Sequence, residues 1–203
     1  MLGIIPAAGE GSRWGGYYKE FLYVDDECLI DRCIRSMRMA SRVCIVSSEA
    51  KLVAHVHHLK RHDNLLYCTQ RGGMDIWGAI YEALPFAESI NLFAMPDTFF
   101  PDDAFIREFP APFTLGVFET DMPERFGCIL DGVVVNKRPL RPPQHAWGTM
   151  VFHKEVSDFW LDISPISYTD AINEAITEFG LATYPLDYYY DMASFEDYRR
   201  LIC

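Results

Sequence analysis

Four short apolar runs, Leu2-Gly3-Ile4-Ile5, Val43-Cys44-Ile45-Val46, Leu65-Leu66-Tyr67-Cys68 and Ile90-Asn91-Leu92-Phe93-Ala94-Met95, alternate with helical patterns. No other feature constrains the fold as much. Strands buried on both faces read as continuous apolar runs, and parallel neighbours need a crossover, usually a helix. The first such helix is expected from Leu29 to Met39, with Ile30, Cys33, Ile34 and Met37 on one face. Ser47-Ser48 is placed to cap a second, whose apolar positions run through Leu52 and Val56, and a third is expected from Met74 to Ala87. The expected class is α/β, a three-layer α/β/α sandwich around a mostly parallel, mixed central sheet. A chain of 203 residues that is 50% hydrophobic supports one core and is too short for two ordinary domains, so residues 1–203 are expected to form a single domain.

The first run enters the turn Pro6-Ala7-Ala8-Gly9-Glu10-Gly11-Ser12-Arg13, and Lys19 follows six residues after Arg13. In an open α/β sheet ligands bind beyond the carboxyl ends of the strands. Glycines let the backbone approach a polyanion, and successive N–H groups in such a turn make an anion-binding concavity. Arg13 and Lys19 add the charge a phosphate needs. Two familiar phosphate loops are excluded, for there is no third glycine at the dinucleotide spacing and no Gly-Lys-Ser/Thr. Without further context the turn also fits any strand-to-helix connection.

The chain carries 18 Lys plus Arg against 29 Asp plus Glu, a net charge of −11, which gives no electrostatic support to a nucleic-acid or anionic-membrane partner. The 6 cysteines are single, without Cys-x-x-Cys spacing, and mostly in apolar runs, as buried free thiols of a reducing cytoplasmic compartment would be. The N-terminal apolar residues run straight into the glycine turn and read as a strand rather than a secretion signal. No apolar run reaches the ~20 residues of a membrane span. The sequence permits a homo-oligomer without indicating one.

In the second half, Phe113 to Phe118 and Gly132 to Asn136 read as longer, more exposed strands, and Arg138 to Pro143 as a loop. Met150 to His153 reads as a strand, Tyr168 to Phe179 as a helix burying Ala171, Ile172, Ala175, Ile176 and Phe179, and Phe195 to Ile202 as a closing helix. Tyr188-Tyr189-Tyr190 reads as a half-buried strand. His55 and His58 share a helix face, but no neighbouring carboxylate or cysteine completes a metal set and the segment reads as solvated.

The turn resembles the signature of nucleotidyltransferases with the glycosyltransferase-A-like fold, above all the sugar-1-phosphate nucleotidylyltransferases: a strand, Gly-x-Gly-Thr-Arg, a spacer, then Pro-Lys-x-Leu. Here it stands as Gly9-Glu10-Gly11-Ser12-Arg13, then Tyr18-Lys19-Glu20-Phe21-Leu22, with a shorter spacer. Met95-Pro96-Asp97-Thr98 is similar to the family's strand-terminal Gly-Asp, and Tyr190-Asp191-Met192-Ala193-Ser194-Phe195-Glu196-Asp197 to its late Asp-x-Gly-Thr-Pro-Glu-Asp. Val135-Asn136-Lys137-Arg138-Pro139, followed by Ala146-Trp147-Gly148, is similar to its Glu-Lys-Pro and the glycine after it. Gln70 stands at the place of its base-reading glutamine.

The resemblance implies a Mg²⁺-dependent, cytoplasmic transferase that couples a nucleoside triphosphate to a sugar 1-phosphate, releasing pyrophosphate in nucleotide-sugar biosynthesis. It implies that Ala7, Ala8, Gly9, Glu10, Gly11, Ser12 and Gln70 bind the nucleotide. Arg13, Lys19 and Lys137 would be catalytic, Asn136, Trp147 and Gly148 would meet the sugar, and Asp97 and Asp191 would hold Mg²⁺. Without the resemblance, Asp97 reads equally as a turn former, Asp191 as a helix cap and Lys137 as a surface lysine. Two other functions share the motif pattern: a cytidylyltransferase for a non-sugar phosphate, favoured by the short spacer, and a glycosyltransferase-A-like domain that binds a finished nucleotide sugar. The second normally shows an Asp-x-Asp that Met95-Pro96-Asp97-Thr98 lacks.

Overall fold

The computed structural model describes residues 1–11, 14–71 and 75–202. Ser12 and Arg13, the expected helix start at Met74, and Cys203 lie outside them. The elements in chain order are β1 (Leu2–Pro6), β2 (Tyr23–Val24), β3 (Glu27–Cys28), α1 (Leu29–Ser36), β4 (Arg42–Ser47), α2 (Glu49–Leu59), β5 (Leu65–Thr69), α3 (Ile76–Ala83), β6 (Ile90–Ala94), β7 (Thr98–Phe99) and β8 (Phe113–Thr120). They continue with β9 (Gly127–Leu130), β10 (Val133–Asn136), β11 (Gln144–His153), α4 (Lys154–Ile163), α5 (Tyr168–Phe179), β12 (Ala182–Pro185), β13 (Tyr190–Asp191) and α6 (Phe195–Ile202).

Among the described residues the main sheet has nine strands in the order β10-β9-β11-β6-β1-β4-β5, with β8 beside β11 and β12 beside β8. β1 pairs in parallel with β4 and β6, and β4 with β5. β11 runs antiparallel to β6 and β8, which makes the sheet mixed, as expected. The chain steps from β1 to β4 and β5 on one side, then returns to β6 on the other. That reversal opens a crevice at the carboxyl ends of β1 and β6, where open α/β sheets bind ligands.

Alternation along β1 divides the core. Leu2 and Ile4 pack with α3, α4 and α5 on one face, while Ile5 packs with α1 on the other. The buried face of α1 carries Ile30, Cys33 and Ile34 as expected, although the helix ends at Ser36 and Met37 is buried just beyond it. α5 has the expected bounds.

Three expectations are corrected. α2 does not bury Leu52 and Val56; Lys51, His55 and Leu59 form its inward face, because Glu20 lies beneath it and offers a charged partner. Strand β8 is not exposed: Phe113, Leu115 and Phe118 are buried, since β11 and β12 flank it and helices cover it. Of the three consecutive tyrosines, Tyr190 alone lies in a strand. No disulfide forms among the described cysteines. No described helix is long and apolar enough to cross a membrane.

Candidate active site

The crevice contains a cavity of about 480 Å³. Its lining takes Ala7, Ala8, Gly9, Glu10 and Gly11 from the turn after β1, Gln70 from the end of β5, and Asp97 from between β6 and β7. Lys19, Lys137, Trp147, Gly148 and Asp191 complete the set of sequence candidates along it. Ser12 and Arg13 lie outside the described residues.

The turn is fastened at both ends. The Ala7 N–H donates to the Val46 carbonyl at 2.7 Å, and the Gly11 carbonyl accepts from Trp14 and Gly16. Gly11 has φ +62°, and a Cβ there would stand 2.3 Å from the Tyr17 carbonyl oxygen, so a side chain is excluded. At Gly9 a Cβ would meet nothing within 4 Å. Its lack of a side chain therefore leaves open cavity rather than relieving a clash.

Two tertiary contacts bring the chain ends together. Trp14 Nε1 donates to the Met192 carbonyl at 3.1 Å, and its ring meets Phe195 and Tyr198 edge-on. β7 pairs antiparallel with β13, setting Thr98 opposite Asp191, and the Met192 N–H donates to the Asp97 carbonyl at 3.1 Å. The Lys19 ammonium binds the Asp97 carboxylate. Lys19, Asp97 and Asp191 thus share one wall.

Charge in the cavity is balanced in pairs. Arg125, which the sequence reading missed, holds Asp197 through two hydrogen bonds of 2.8 and 2.9 Å and reaches Asp191 at 3.5 Å. Its hydrogen bonds with Asp197 hold that carboxyl below its ordinary pKa and push the guanidinium up. Lys51 and Glu20, also missed, form a buried pair at 2.6 Å, and Lys51 donates to the Ala7 carbonyl at 3.3 Å. His55 Nε2 lies 3.0 Å from the same Glu20 oxygen, and its Nδ1 2.7 Å from Ser47 Oγ. Burial pushes the Glu20 pKa up, but His55 and Lys51 outweigh it and the net shift is downward. Lys51, His55 and Leu59 at four-residue spacing were the available signal, but in sequence they look like a solvated helix side.

The far wall differs in detail from what the resemblance implied. Lys137 lines the cavity in a left-handed conformation, φ 43°, with its N–H donating to the Phe126 carbonyl. Asn136 is exposed and does not line the cavity; its carboxamide oxygen accepts from the Tyr168 hydroxyl, and Tyr168 supplies the lining instead. A Cβ at Gly148 would stand 2.4 Å from the Tyr189 ring, so this glycine admits Tyr189. Trp147 Nε1 is a buried donor with no acceptor among the described residues. Gln70 Nε2 donates to the Asp75 carbonyl at 3.0 Å, and the Asp75 side chain caps α3 by accepting from the Gly78 N–H. Capping explains an aspartate at that position.

Asp97 and Asp191 fit a Mg²⁺ ion chemically. Two hard carboxylates, one just before β7 and one on its partner strand β13, line one cavity, and Mg²⁺ is usually bound by one or two carboxylates plus water and phosphate oxygens.

Solved structures share the fold. A protein named as a glucose-1-phosphate thymidylyltransferase from Bacillus anthracis superposes with a TM-score of 0.86 at 19% identity, covering 99% of this chain and 94% of that one. The inositol-1-phosphate CTP transferase of T. maritima gives 0.78 at 19% identity, covering 99% and 94%. A UDP-glucose pyrophosphorylase from Acinetobacter baumanii gives 0.79 at 15%, covering 99% and 91%. These likenesses establish the sandwich with its mixed sheet. No curated protein sequence matches the chain. A model of the MobA-like NTP transferase domain matches residues 3–116, more than half of the sequence, and the chain therefore belongs to that family.

Proposed function

We propose that the chain, acting as one domain, is a Mg²⁺-dependent nucleotidyltransferase that joins a nucleoside triphosphate to a sugar 1-phosphate. An oxygen of the sugar phosphate attacks the α-phosphorus. The bond from that phosphorus to the bridging oxygen of the β-phosphate breaks, and pyrophosphate leaves with the electron pair. The step needs no covalent enzyme intermediate; it rests on positioning and charge stabilisation.

The observation that carries this reading is the convergence of the glycine turn, Lys19, Asp97, Asp191 and Lys137 on one cavity. Backbone N–H groups from Ala7 to Gly11, with Ser12, cradle the triphosphate, and Arg13 offsets the β- and γ-phosphates. Lys19 exchanges its bond to Asp97 for an α-phosphate oxygen, while Lys137 aligns the acceptor phosphate. Asp97 and Asp191 would hold Mg²⁺, which would neutralise charge on the transferring phosphate. Gln70 offers both a donor and an acceptor to a base edge. Trp147, Gly148 and Tyr168 face the sugar, with Asn136 acting through Tyr168. The structures of the thymidylyl, cytidylyl and uridylyl enzymes support the class by their likeness in fold and leave the base of this chain to experiment.

Thermal unfolding with each nucleoside triphosphate, and with finished nucleotide sugars, tests the reading. One triphosphate at about 100 times its Kd is expected to stabilise by about 2.7 kcal/mol, roughly 5–10 °C, in Mg²⁺ and less in its absence. Stabilisation by nucleotide sugars alone would assign a glycosyltransferase instead.

A further inference from the structure

Behind the cavity, α1 begins beside the end of α2, and metal-ligating side chains from both meet around one carboxylate. Cys28 Sγ lies 2.6 Å from Asp31 Oδ2 and 3.1 Å from His58 Nε2, and His58 Nε2 lies 3.2 Å from the same Asp31 oxygen. His62 Nε2 stands 2.8 Å from the other oxygen, Asp31 Oδ1. Cys28 and Asp31 are buried, while His58 and His62 are 24% and 23% exposed. The inner groups are thus dry, and the imidazoles leave a path from solvent. This overturns the reading of the histidine helix as solvated and without a cysteine or carboxylate partner: Cys28 and Asp31 lie 30 and 27 residues from His58 in sequence and adjacent to it in space.

We propose that Cys28, Asp31 and His58 form a binding site for a divalent zinc-type ion, distinct from Asp97 and Asp191 of the cavity, with His62 on the other Asp31 oxygen positioning that carboxylate. One thiolate, one imidazole and one carboxylate, with a water in the fourth position, suit a tetrahedral, borderline-soft ion, whereas Mg²⁺ and Ca²⁺ take oxygen ligands. Ligand atoms around tetrahedral Zn²⁺ stand about 3.3–3.5 Å apart, as follows from bond lengths near 2.0 and 2.3 Å. The spacings from His58 already lie close to that figure. Cys28 and Asp31 must separate by about 0.9 Å, as they do when the ion displaces the thiol proton between them to solvent. Burial and the neighbouring Asp31 push the Cys28 thiol up to about 12, so in the metal-free form the proton stays on sulfur. Hydrogen bonds from Cys28, His62 and His58 outweigh burial and hold the Asp31 carboxyl below its ordinary range. Arg61 also binds Asp31, but its side chain is 55% exposed and free to swing into solvent when a cation takes its place.

An ion here would tie the start of α1 to the end of α2. The His58 ring packs 4.5 Å from Phe21, the last residue of the helical turn Lys19–Phe21 that delivers Lys19 and Glu20 to the cavity. The site is therefore structural, and its occupancy steadies the turn without touching substrate.

The test loads the full chain with Zn²⁺, desalts it into Mg²⁺ buffer and measures retained zinc, with Co²⁺ as a spectroscopic probe. The expected result is one zinc per chain and, with cobalt, thiolate charge-transfer and tetrahedral d–d bands. His58→Ala and Cys28→Ser lose both signals, and Asp97→Asn keeps them. Because Cys28 is buried, His58→Ala, at a partly exposed position and checked for an unchanged far-UV circular dichroism spectrum, carries the decision. Zinc absent from the wild type, zinc retained by His58→Ala, or zinc lost in Asp97→Asn overturns the site.

Discussion

Lys51 and Glu20, 31 residues apart in the chain, form an ion pair of 2.6 Å in which each side chain is only 4% exposed. A buried charge left without its partner is costly, whereas the pair as a whole contributes little net stability. Glu20→Ala should therefore cost about 3–5 kcal/mol by urea unfolding, because Lys51 and His55 lose their shared acceptor. The double variant Glu20→Ala with Lys51→Met should recover much of that loss.

The same cluster sets a pH dependence. The net pKa of Glu20 is lowered in the folded chain, as are those of Asp31 and Asp197. A depressed folded pKa contributes stability that is present above the unfolded value, near 4, and is lost as pH falls through the folded value. The Tm should therefore hold from neutral pH down to about pH 5 and fall below it. Glu20→Gln should start from a lower Tm and fall less steeply.

The two glycines of the turn should separate in experiment. Gly11→Ala meets a carbonyl oxygen 2.3 Å away at positive φ and should lose about 1–2 kcal/mol of stability or more. Gly9→Ala finds open space and should keep its Tm, yet lose about tenfold or more in kcat/KM because its methyl group would stand in the cavity proposed for the triphosphate. Measuring Tm and kcat/KM on both variants checks the distinction.

Gly148 and Tyr189 form a packed contact. The tyrosine ring stacks on Phe118 at 4.5 Å and on Phe100 at 6.3 Å and meets Phe126 edge-on, so it has little room to yield. Gly148→Ala should cost about 1–3 kcal/mol in urea unfolding through overpacking. Adding Tyr189→Leu should return part of it.

Much of this architecture was legible because its signals are local. The run Leu2 to Ile5 entering Gly9-Glu10-Gly11 marks a strand and a glycine turn without reference to the rest of the chain, and the period of Ala171, Ile172 and Ala175 marks α5. The depth of β8 was not legible, because it depends on β12, some seventy residues later, lying beside it. Lys51 and Arg125 were missed, and His55 was read as solvated, for the same reason. A charged residue reads as solvated until tertiary structure supplies its partner, and Glu20, Ser47 and Asp197 lie elsewhere in the sequence. Asp97 and Asp191 entered the sequence reading through the family pattern, since neither neighbourhood alone distinguishes a ligand from a turn.

The central claim is that Lys19 and Asp97, joined in the structure, act on one triphosphate. Pyrophosphate release in Mg²⁺ with the stabilising triphosphate and a panel of sugar 1-phosphates, compared between wild type, Lys19→Ala and Asp97→Ala, tests it most directly. The account predicts turnover by the wild type and a loss of about a hundredfold or more in each variant, with the fold retained by circular dichroism. Near-normal pyrophosphate release by Asp97→Ala would contradict it.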